Sequence, residues 1–116
     1  MAYNTYLADR IRNQLGNNPM VEEKKMFGDV GFLIHGNMAC GVNQDNLIVR
    51  IGPEMYHPAL TQEYVAEFDI TGRPMKGWIM VGEKGYTGDK DLEFWIESGI
   101  RFAASLPSKK PENFKL

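Results

Sequence analysis

The first stretch of the chain has its apolar residues spaced as they are on one side of a helix. Four of them recur at intervals of four residues, with mostly polar residues between them: Tyr3, Leu7, Ile11 and Leu15. This spacing places side chains on one face of an α-helix. The segment Gly-Asn-Asn-Pro at 16–19 follows at once and supplies residue types that end helices. The pattern therefore predicts an amphipathic helix as the first element.

From about residue 23 to residue 51 the pattern changes to short apolar runs separated by glycine and polar residues. Such runs indicate strands, and we predict three antiparallel strands here. The turns between them are predicted at 35–37 (His-Gly-Asn) and 44–46 (Gln-Asp-Asn), because Gly, Asn and Asp accept the positive φ of tight turns. Gly28 and Gly31 are predicted to bend or bulge a long first strand.

Alternation along the second and third strands predicts which side chains share a face. One face of the second strand is predicted to carry Met38, Cys40 and Val42. In the third strand, Arg50 is predicted to point away from the face shared by Leu47, Val49 and Ile51.

The second half of the chain reads as a helix, two strands and a long helix. Pro53 can open a helix, which Pro58 should keep short or kinked. A fourth strand is predicted over 66–70 and a fifth, buried on both faces, over 78–81, with 71–77 connecting them.

The last helix has the clearest periodicity, with Asp89 predicted as its N-cap. Its apolar residues at helical spacing are Leu92, Trp95, Ile96, Gly99, Ile100, Ala103 and Leu106. The segment 107–116 contains two prolines and three lysines, which predicts a flexible, exposed tail after a domain that spans 1–106.

Length and composition agree with one packed domain. The chain has 116 residues, of which 43% are hydrophobic, and it contains no apolar run long enough to span a bilayer. Cys40 is its single cysteine, so no disulfide can form within the chain, and together these features predict a cytoplasmic protein. The net charge of −2 provides no general attraction to nucleic acid, which would need a local basic patch.

The chain also contains four short sequence motifs. They are Lys24–Gly28 (KKMFG), Gly36–Val42 (GNMACGV), Val49–Pro53 (VRIGP) and Thr71–Trp78 (TGRPMKGW). In their order and spacing the chain resembles the N-terminal domain of the TfoX/Sxy family of competence regulators, and the resemblance extends over 2–106.

This resemblance implies an α+β fold, a two-layer sandwich with one antiparallel sheet of about five strands in the order α-β-β-β-α-β-β-α, similar to secretion-chaperone-like folds. The resemblance also implies that the domain frequently forms a dimer and that it carries little catalytic chemistry. In the bacterial competence regulators a second, C-terminal domain follows this one. Because the chain continues for only about ten residues after the last predicted helix, we expect a stand-alone N-terminal domain, for which a role in competence does not follow.

No combination of residues predicts an enzyme or a cofactor site. His35 and Cys40 lie five residues apart, and a zinc site would require His57 to join them and a fourth ligand. Cys40 on an apolar face is predicted to be a small core residue and His35 a turn residue. The glycine-rich stretch 82–90 lacks the Gly-Lys-Ser/Thr ending of a phosphate loop and is predicted to be a turn.

The remaining candidate site is a set of basic residues from the family-like motifs. Its members are Lys24, Lys25, Arg50, Arg73 and Lys76. They would form an anion-binding or partner-binding patch if the fold brings them together. The alternative is that Arg50 and Arg73 form ordinary surface ion pairs. Met75 and Trp78 are candidates for an interaction surface, since the chain contains seven methionines and Met suits adaptable contacts.

Two functions follow from these observations. The first is a non-enzymatic regulatory or adaptor domain that binds another protein or forms a homodimer. The second is a nucleic-acid-binding or nucleotide-binding module that uses the basic residues, and its binding would weaken steeply with salt. An unrecognised enzyme ranks last, because it would need a cleft with perturbed titratable groups that the sequence does not show.

Overall fold

The computed structural model describes residues 3–26, 28–69 and 72–109. The strands of this part are β1 (Val21–Met26), β2 (Asp29–Ile34), β3 (Asn37–Asn43), β4 (Asn46–Arg50), β5 (Val65–Asp69) and β6 (Pro74–Val81). The helices are α1 (Thr5–Leu15), α2 (Pro53–Leu60), α3 (Glu83–Tyr86) and α4 (Asp89–Ala104).

The predicted first helix is confirmed as α1. Asn4 caps it, since the Asn4 side-chain oxygen accepts a hydrogen bond from the Leu7 N–H at 3.0 Å. Gly16 ends it with a φ of 62° and donates its N–H to the Arg12 carbonyl. The residues that the helix buries include Leu7 and Ile11, as its periodicity predicts.

The two predicted hairpin turns are also confirmed. His35 and Gly36, both with positive φ, separate β2 from β3, and Gln44 does the same between β3 and β4. The predicted long first strand is instead two strands. Met26 pairs with Asp29, so the chain reverses between them, and Gly28 has a φ of 84°. This positive φ serves a chain reversal and not a bend within one strand.

The six strands form one antiparallel sheet in the order β1-β2-β3-β4-β6-β5. The predicted α+β class with a single antiparallel sheet is therefore confirmed, with one strand more than expected. In this order β6 lies between β4 and β5. The second strand of the β5–β6 hairpin therefore pairs with β4, and the first strand, β5, forms the edge of the sheet. α3 (Glu83–Tyr86) was predicted to be part of a turn and is a short helix.

All four helices contribute to one core on the same side of the sheet. Their buried side chains cluster with every second residue of the central strands. The residues that the strands contribute to this core are Val30, Phe32, Cys40, Val42, Leu47, Val49, Ile79 and Val81, and Ile51 joins them directly after β4. The fold is thus two layers, one of helices and one sheet.

The other side of the sheet, the open face, has no helix of the described residues packed on it. The registers place on it a set of residues that alternate with the core residues: Leu33, Met38, Gly41, Ile48, Arg50, Ala66, Phe68, Trp78 and Met80. The face predicted for Leu47, Val49 and Ile51 is confirmed, with Arg50 on the opposite one.

The prediction that Met38 shares a face with Cys40 and Val42 is wrong. The register shifts between Phe32 and Leu33, so that Phe32 pairs with Cys40 but Leu33 pairs with Met38. This bulge inserts Ala39 into the core side and moves Met38 to the open face, beside Gly41. Alternation predicts a face only where the register is regular.

Three further details of the second half differ from the predictions. β6 begins at Pro74, so 74–77 extend a strand and are not a connection. β6 is also buried on one face only, because Trp78 and Met80 lie on the open face and are half-buried. Asp89 is the first residue of α4 and not its N-cap. The N-cap is Gly88, which has no side chain that could cap the helix. The predicted α2 does begin at Pro53 and is short, with Pro58 inside it.

The segment after α4 makes contacts with the turn between β2 and β3. The buried Asn37 side chain donates a hydrogen bond to the Pro107 carbonyl at 2.9 Å, and the Lys109 N–H donates to the His35 carbonyl at 2.8 Å. Residues 110–116 of the predicted flexible tail lie outside the described residues. No helix within the described ranges is long and apolar enough to cross a membrane.

Candidate functional site

The sheet order divides the five basic candidates into two groups. Lys24 and Lys25 lie in β1, at one edge of the sheet, and Arg50 lies in β4. Two strands separate β1 from β4, which at about 4.8 Å per strand is roughly 14 Å across the sheet. Lys76 lies in β6, which pairs with β4, and Arg73 directly precedes β6. Lys76 is therefore two residues from Trp78, the cross-strand partner of Arg50, whereas Arg73 is five residues from it and the two lysines of β1 lie at the edge of the sheet.

Among these basic side chains, Arg50 contacts two aromatic rings. Its guanidinium carbon lies 5.3 Å from the centre of the Trp78 ring and 5.5 Å from that of Phe102. Trp78 is the cross-strand partner of Arg50 in β6, and Phe102 belongs to the last turns of α4. Both distances are within the range of a cation–π interaction. We call these three side chains the arginine stack.

Two glycines bring the chain segments around the arginine stack together. The Gly77 carbonyl accepts the N–H groups of both Ile51 and Gly52, at 2.8 and 3.0 Å. Gly77 and Gly52 have φ values of 92° and 94°, which favour glycine. A Cβ atom on Gly52 would lie 2.6 Å from the Phe102 ring. Gly52, two residues after β4, and Gly77 in β6 thus allow α4 to approach the end of β4 closely.

Surface ion pairs, the alternative for Arg50 and Arg73, involve other arginines among the described residues. Arg10 pairs with Asp89 at 3.0 Å, and Arg12 pairs with Glu23 at 2.7 Å and with Asp9. Within the described ranges, no ion pair or hydrogen bond of the Arg50 side chain is present. Its contacts there are the two aromatic rings.

The open face around the arginine stack is apolar. Trp78, Met80, Met38 and Leu33 are half-buried although no described helix covers them. Phe68 is 6% exposed and packs on Trp78, with the ring centres 6.2 Å apart. Met75, the other candidate for an interaction surface, is half-buried in β6. The sequence pointed to Trp78, but it gave no sign that Leu33, Phe68 and Met80 would join it.

A groove of about 440 Å³ lies between the first turn of α2 and one side of α4. Met55 and Phe94 line it and are 44% and 45% exposed. Phe102 also lines it, so the arginine stack connects this groove with the open face. The groove was not predicted from the sequence, although Phe94, Ser98 and Arg101 recur at helical spacing on α4 and Ser105 follows at its C-cap.

The histidines and the cysteine are far less suited to chemistry. Cys40 is fully buried in the core, whereas His57 is exposed on α2 and His35 lies in the turn after β2. Burial raises the pKa of the Cys40 thiol to about 12. Within the residues described, no three His, Cys, Asp or Glu side chains are grouped as metal ligands would be.

The raised pKa of Cys40 leads to a prediction about thiol reactivity. We expect the native protein to react with a disulfide reagent such as DTNB at pH 8 only through opening of the fold, because the thiolate is the reactive form. Addition of urea should accelerate labelling in parallel with unfolding. The sign for stability follows from linkage: the unfolded thiol ionises near pH 8.5 and the folded thiol does not, so stability falls as pH rises from there towards 12. Rapid labelling without urea would contradict this.

The comparisons with known proteins concern the family of the chain. No curated protein matches the chain. The family model of the TfoX N-terminal domain matches residues 13–103, a range that includes all six strands and most of α4. It therefore contains the open face and the arginine stack. The chain belongs to the TfoX N-terminal domain family.

Proposed function

We propose that this chain is a non-enzymatic regulatory domain that acts by binding another protein through the open face of its sheet. The family supports a regulatory kind of role. The observation that carries the proposal is the set of half-buried apolar side chains on a sheet face that no described helix covers. An apolar patch of this kind on a folded protein marks an interaction surface.

The composition of the face favours a protein partner. Trp, Met and Arg are enriched at protein interfaces, and aromatic residues with arginine are the usual binding hot spots. Trp78, Met80 and Arg50 lie beside one another on β6 and β4. The occupant that fits this surface is a protein segment with an apolar anchor for Trp78 and its neighbours.

Nucleic acid, the second candidate, has less support from the geometry. Strong binding to phosphates requires several cations on one surface. Lys24 and Lys25 are at the far edge of the sheet from Arg50, and the net charge is −2. The separation of these lysines from Arg50 within the described part of the chain favours a protein partner over nucleic acid.

Replacement of Trp78 by serine tests the proposal. We expect the wild-type protein, tagged and mixed with lysate of its own host, to retain a specific protein after nuclease treatment. Trp78→Ser should weaken this retention at least roughly tenfold, since a central tryptophan often contributes 2 kcal/mol or more to binding. Quantitative mass spectrometry of the retained proteins measures the effect.

Tyr6→Ser is the matched control. Tyr6 is 72% exposed on α1, in the helix layer, so its loss should leave retention unchanged. Thermal unfolding of both variants verifies that each remains folded. Equal retention by wild type and Trp78→Ser, or capture of only nucleic acid that nuclease removes, would refute the proposal. If the retained protein is a second copy of this chain, sedimentation should show a dimer that Trp78→Ser dissociates.

A further inference from the structure

The arginine stack places a guanidinium at the junction of the open face and the groove between α2 and α4. We infer that Arg50 binds a carboxylate of the protein partner, an inference that rests on the function proposed above. The ligand is thus an apolar segment with an acidic group beside its anchor.

The first argument is the state of the Arg50 donors. Contacts with aromatic rings use the charge of a guanidinium and leave its N–H groups available. Within the described residues, no acceptor is bonded to the Arg50 side chain, and its contacts are Trp78 at 5.3 Å and Phe102 at 5.5 Å. Arg50 is half-buried, and as far as the described residues go its guanidinium has donors available to bind an anion.

The second argument is the contrast with Arg10 and Arg12. Arg10 donates to the carbonyls of Tyr86 and Thr87 and to the Asp89 carboxylate. Arg12 donates to both oxygens of Glu23 and to Asp9. These two arginines connect elements of the fold. Arg50, by contrast, contacts two rings and no anion of the described ranges, which leaves its charge for a partner.

The third argument concerns the kind of anion. The planar fork of arginine matches a carboxylate with two parallel hydrogen bonds. The Trp78 and Phe102 rings surround this fork with apolar surface, where a charged hydrogen bond is stronger than in water. A polyphosphate would need several cations close together, whereas the arginine stack contains one cation, Arg50. A carboxylate is therefore the ligand that the site fits.

A titration of the 15N-labelled full chain tests this. Sodium benzoate offers a carboxylate on an apolar ring, benzamide is its neutral counterpart, and inorganic phosphate is the competing oxyanion. We expect benzoate to cause saturable shifts of the Arg50 Nε–H and Trp78 Nε1–H signals, with no saturation by benzamide or phosphate. Saturation by phosphate alone, or by benzamide as strongly as by benzoate, would overturn the inference.

Three variants identify the group that binds. Arg50→Gln should weaken benzoate binding at least roughly tenfold. The benzoate affinity of Arg50→Lys should lie between those of the wild type and Arg50→Gln, because lysine retains the charge and loses the planar fork. Lys90→Gln removes an exposed charge in the first turn of α4 and should bind as the wild type does. Unchanged binding by Arg50→Gln would contradict the inference, and the Arg50 and Trp78 signals in the wild-type titration report carboxylate binding at this site even if that variant fails to fold.

Capture from lysate separates this inference from the proposed function. Loss of the partner with both Trp78→Ser and Arg50→Gln supports both. If Trp78→Ser loses the partner while folded Arg50→Gln retains it, the carboxylate site is wrong and the protein-binding function stands. If neither variant changes retention, the proposed function fails, and the inference about the partner fails with it, even where benzoate binds to Arg50.

Discussion

Replacement of Gly99 by alanine is expected to lower the free energy of unfolding by about 2 kcal/mol or more. A Cβ atom on Gly99 would lie 2.3 Å from the Ala39 carbonyl oxygen and 3.0 Å from the Ala39 carbonyl carbon. Both are backbone atoms of β3, so α4 as a whole must move away from the sheet. Overpacking of this kind costs about 1–3 kcal/mol and occasionally more.

Helix propensity acts in the opposite direction. Alanine is more favourable than glycine within a helix by about 1 kcal/mol, and this gain offsets part of the cost. Steric overlap should dominate, because a backbone carbonyl in a paired strand cannot rotate away as a side chain can. Urea unfolding followed by circular dichroism measures the net effect.

Glu97→Ala provides the control on the same helix. Glu97 is exposed, so this change also places an alanine on α4 but without contact to the sheet. It should change the free energy of unfolding by no more than about 0.5 kcal/mol. If Gly99→Ala is as stable as Glu97→Ala, the close approach of α4 to β3 is not as the structure has it.

The elements that depend on local signals could be predicted. The spacing of Tyr3, Leu7 and Ile11 identifies α1, and the turn chemistry at 35–37 identifies the hairpin of β2 and β3. The first strand was predicted as one because a bend or bulge at Gly28 would keep the short apolar runs on its two sides, at 26–27 and 32–34, in a single strand. The backbone freedom of glycine permits a bend, a bulge or a chain reversal. The sequence alone therefore does not distinguish these three outcomes at Gly28.

The candidate site could be predicted in part. Alternation showed that Arg50 faces away from the core, and the Thr71–Trp78 motif drew attention to Trp78. The neighbours of Arg50 depend on which strand pairs with β4, and this order is set by packing between distant segments. Phe102 is fifty-two residues from Arg50 in the chain, and no periodicity relates them. The same long-range order separated Lys24 and Lys25 from the other basic residues.

Replacement of Gly52 by alanine should affect both stability and the arginine stack. Gly52 has φ 94° and ψ 161°, a region that is essentially restricted to glycine and costs other residues about 1–3 kcal/mol. The added Cβ atom would also lie 2.6 Å from Cδ1 and 2.8 Å from Cε1 of Phe102, so the ring must move away. We expect a loss of about 3 kcal/mol in the free energy of unfolding.

Gly72→Ala separates the two causes. Gly72 has a φ of 86°, but apart from its chain neighbours no atom of the described residues lies within 4 Å of a Cβ atom there. This change should therefore cost only the conformational penalty, about 1–2 kcal/mol. A comparable loss in both variants would show that contact with Phe102 contributes nothing at Gly52.

The double variant Gly52→Ala with Phe102→Ala examines the ring contact directly. If the added methyl group of Gly52→Ala displaces the ring, removal of the ring should relieve part of the cost, so the two changes should be less than additive. In the single variant the Arg50 Nε–H signal should shift, because the displaced ring no longer lies over the guanidinium, and benzoate binding should weaken. Strict additivity together with an unchanged Arg50 signal would mean that Gly52 serves the backbone alone. A coupled response would instead show that the glycine after β4 is what allows α4 to complete the site around Arg50.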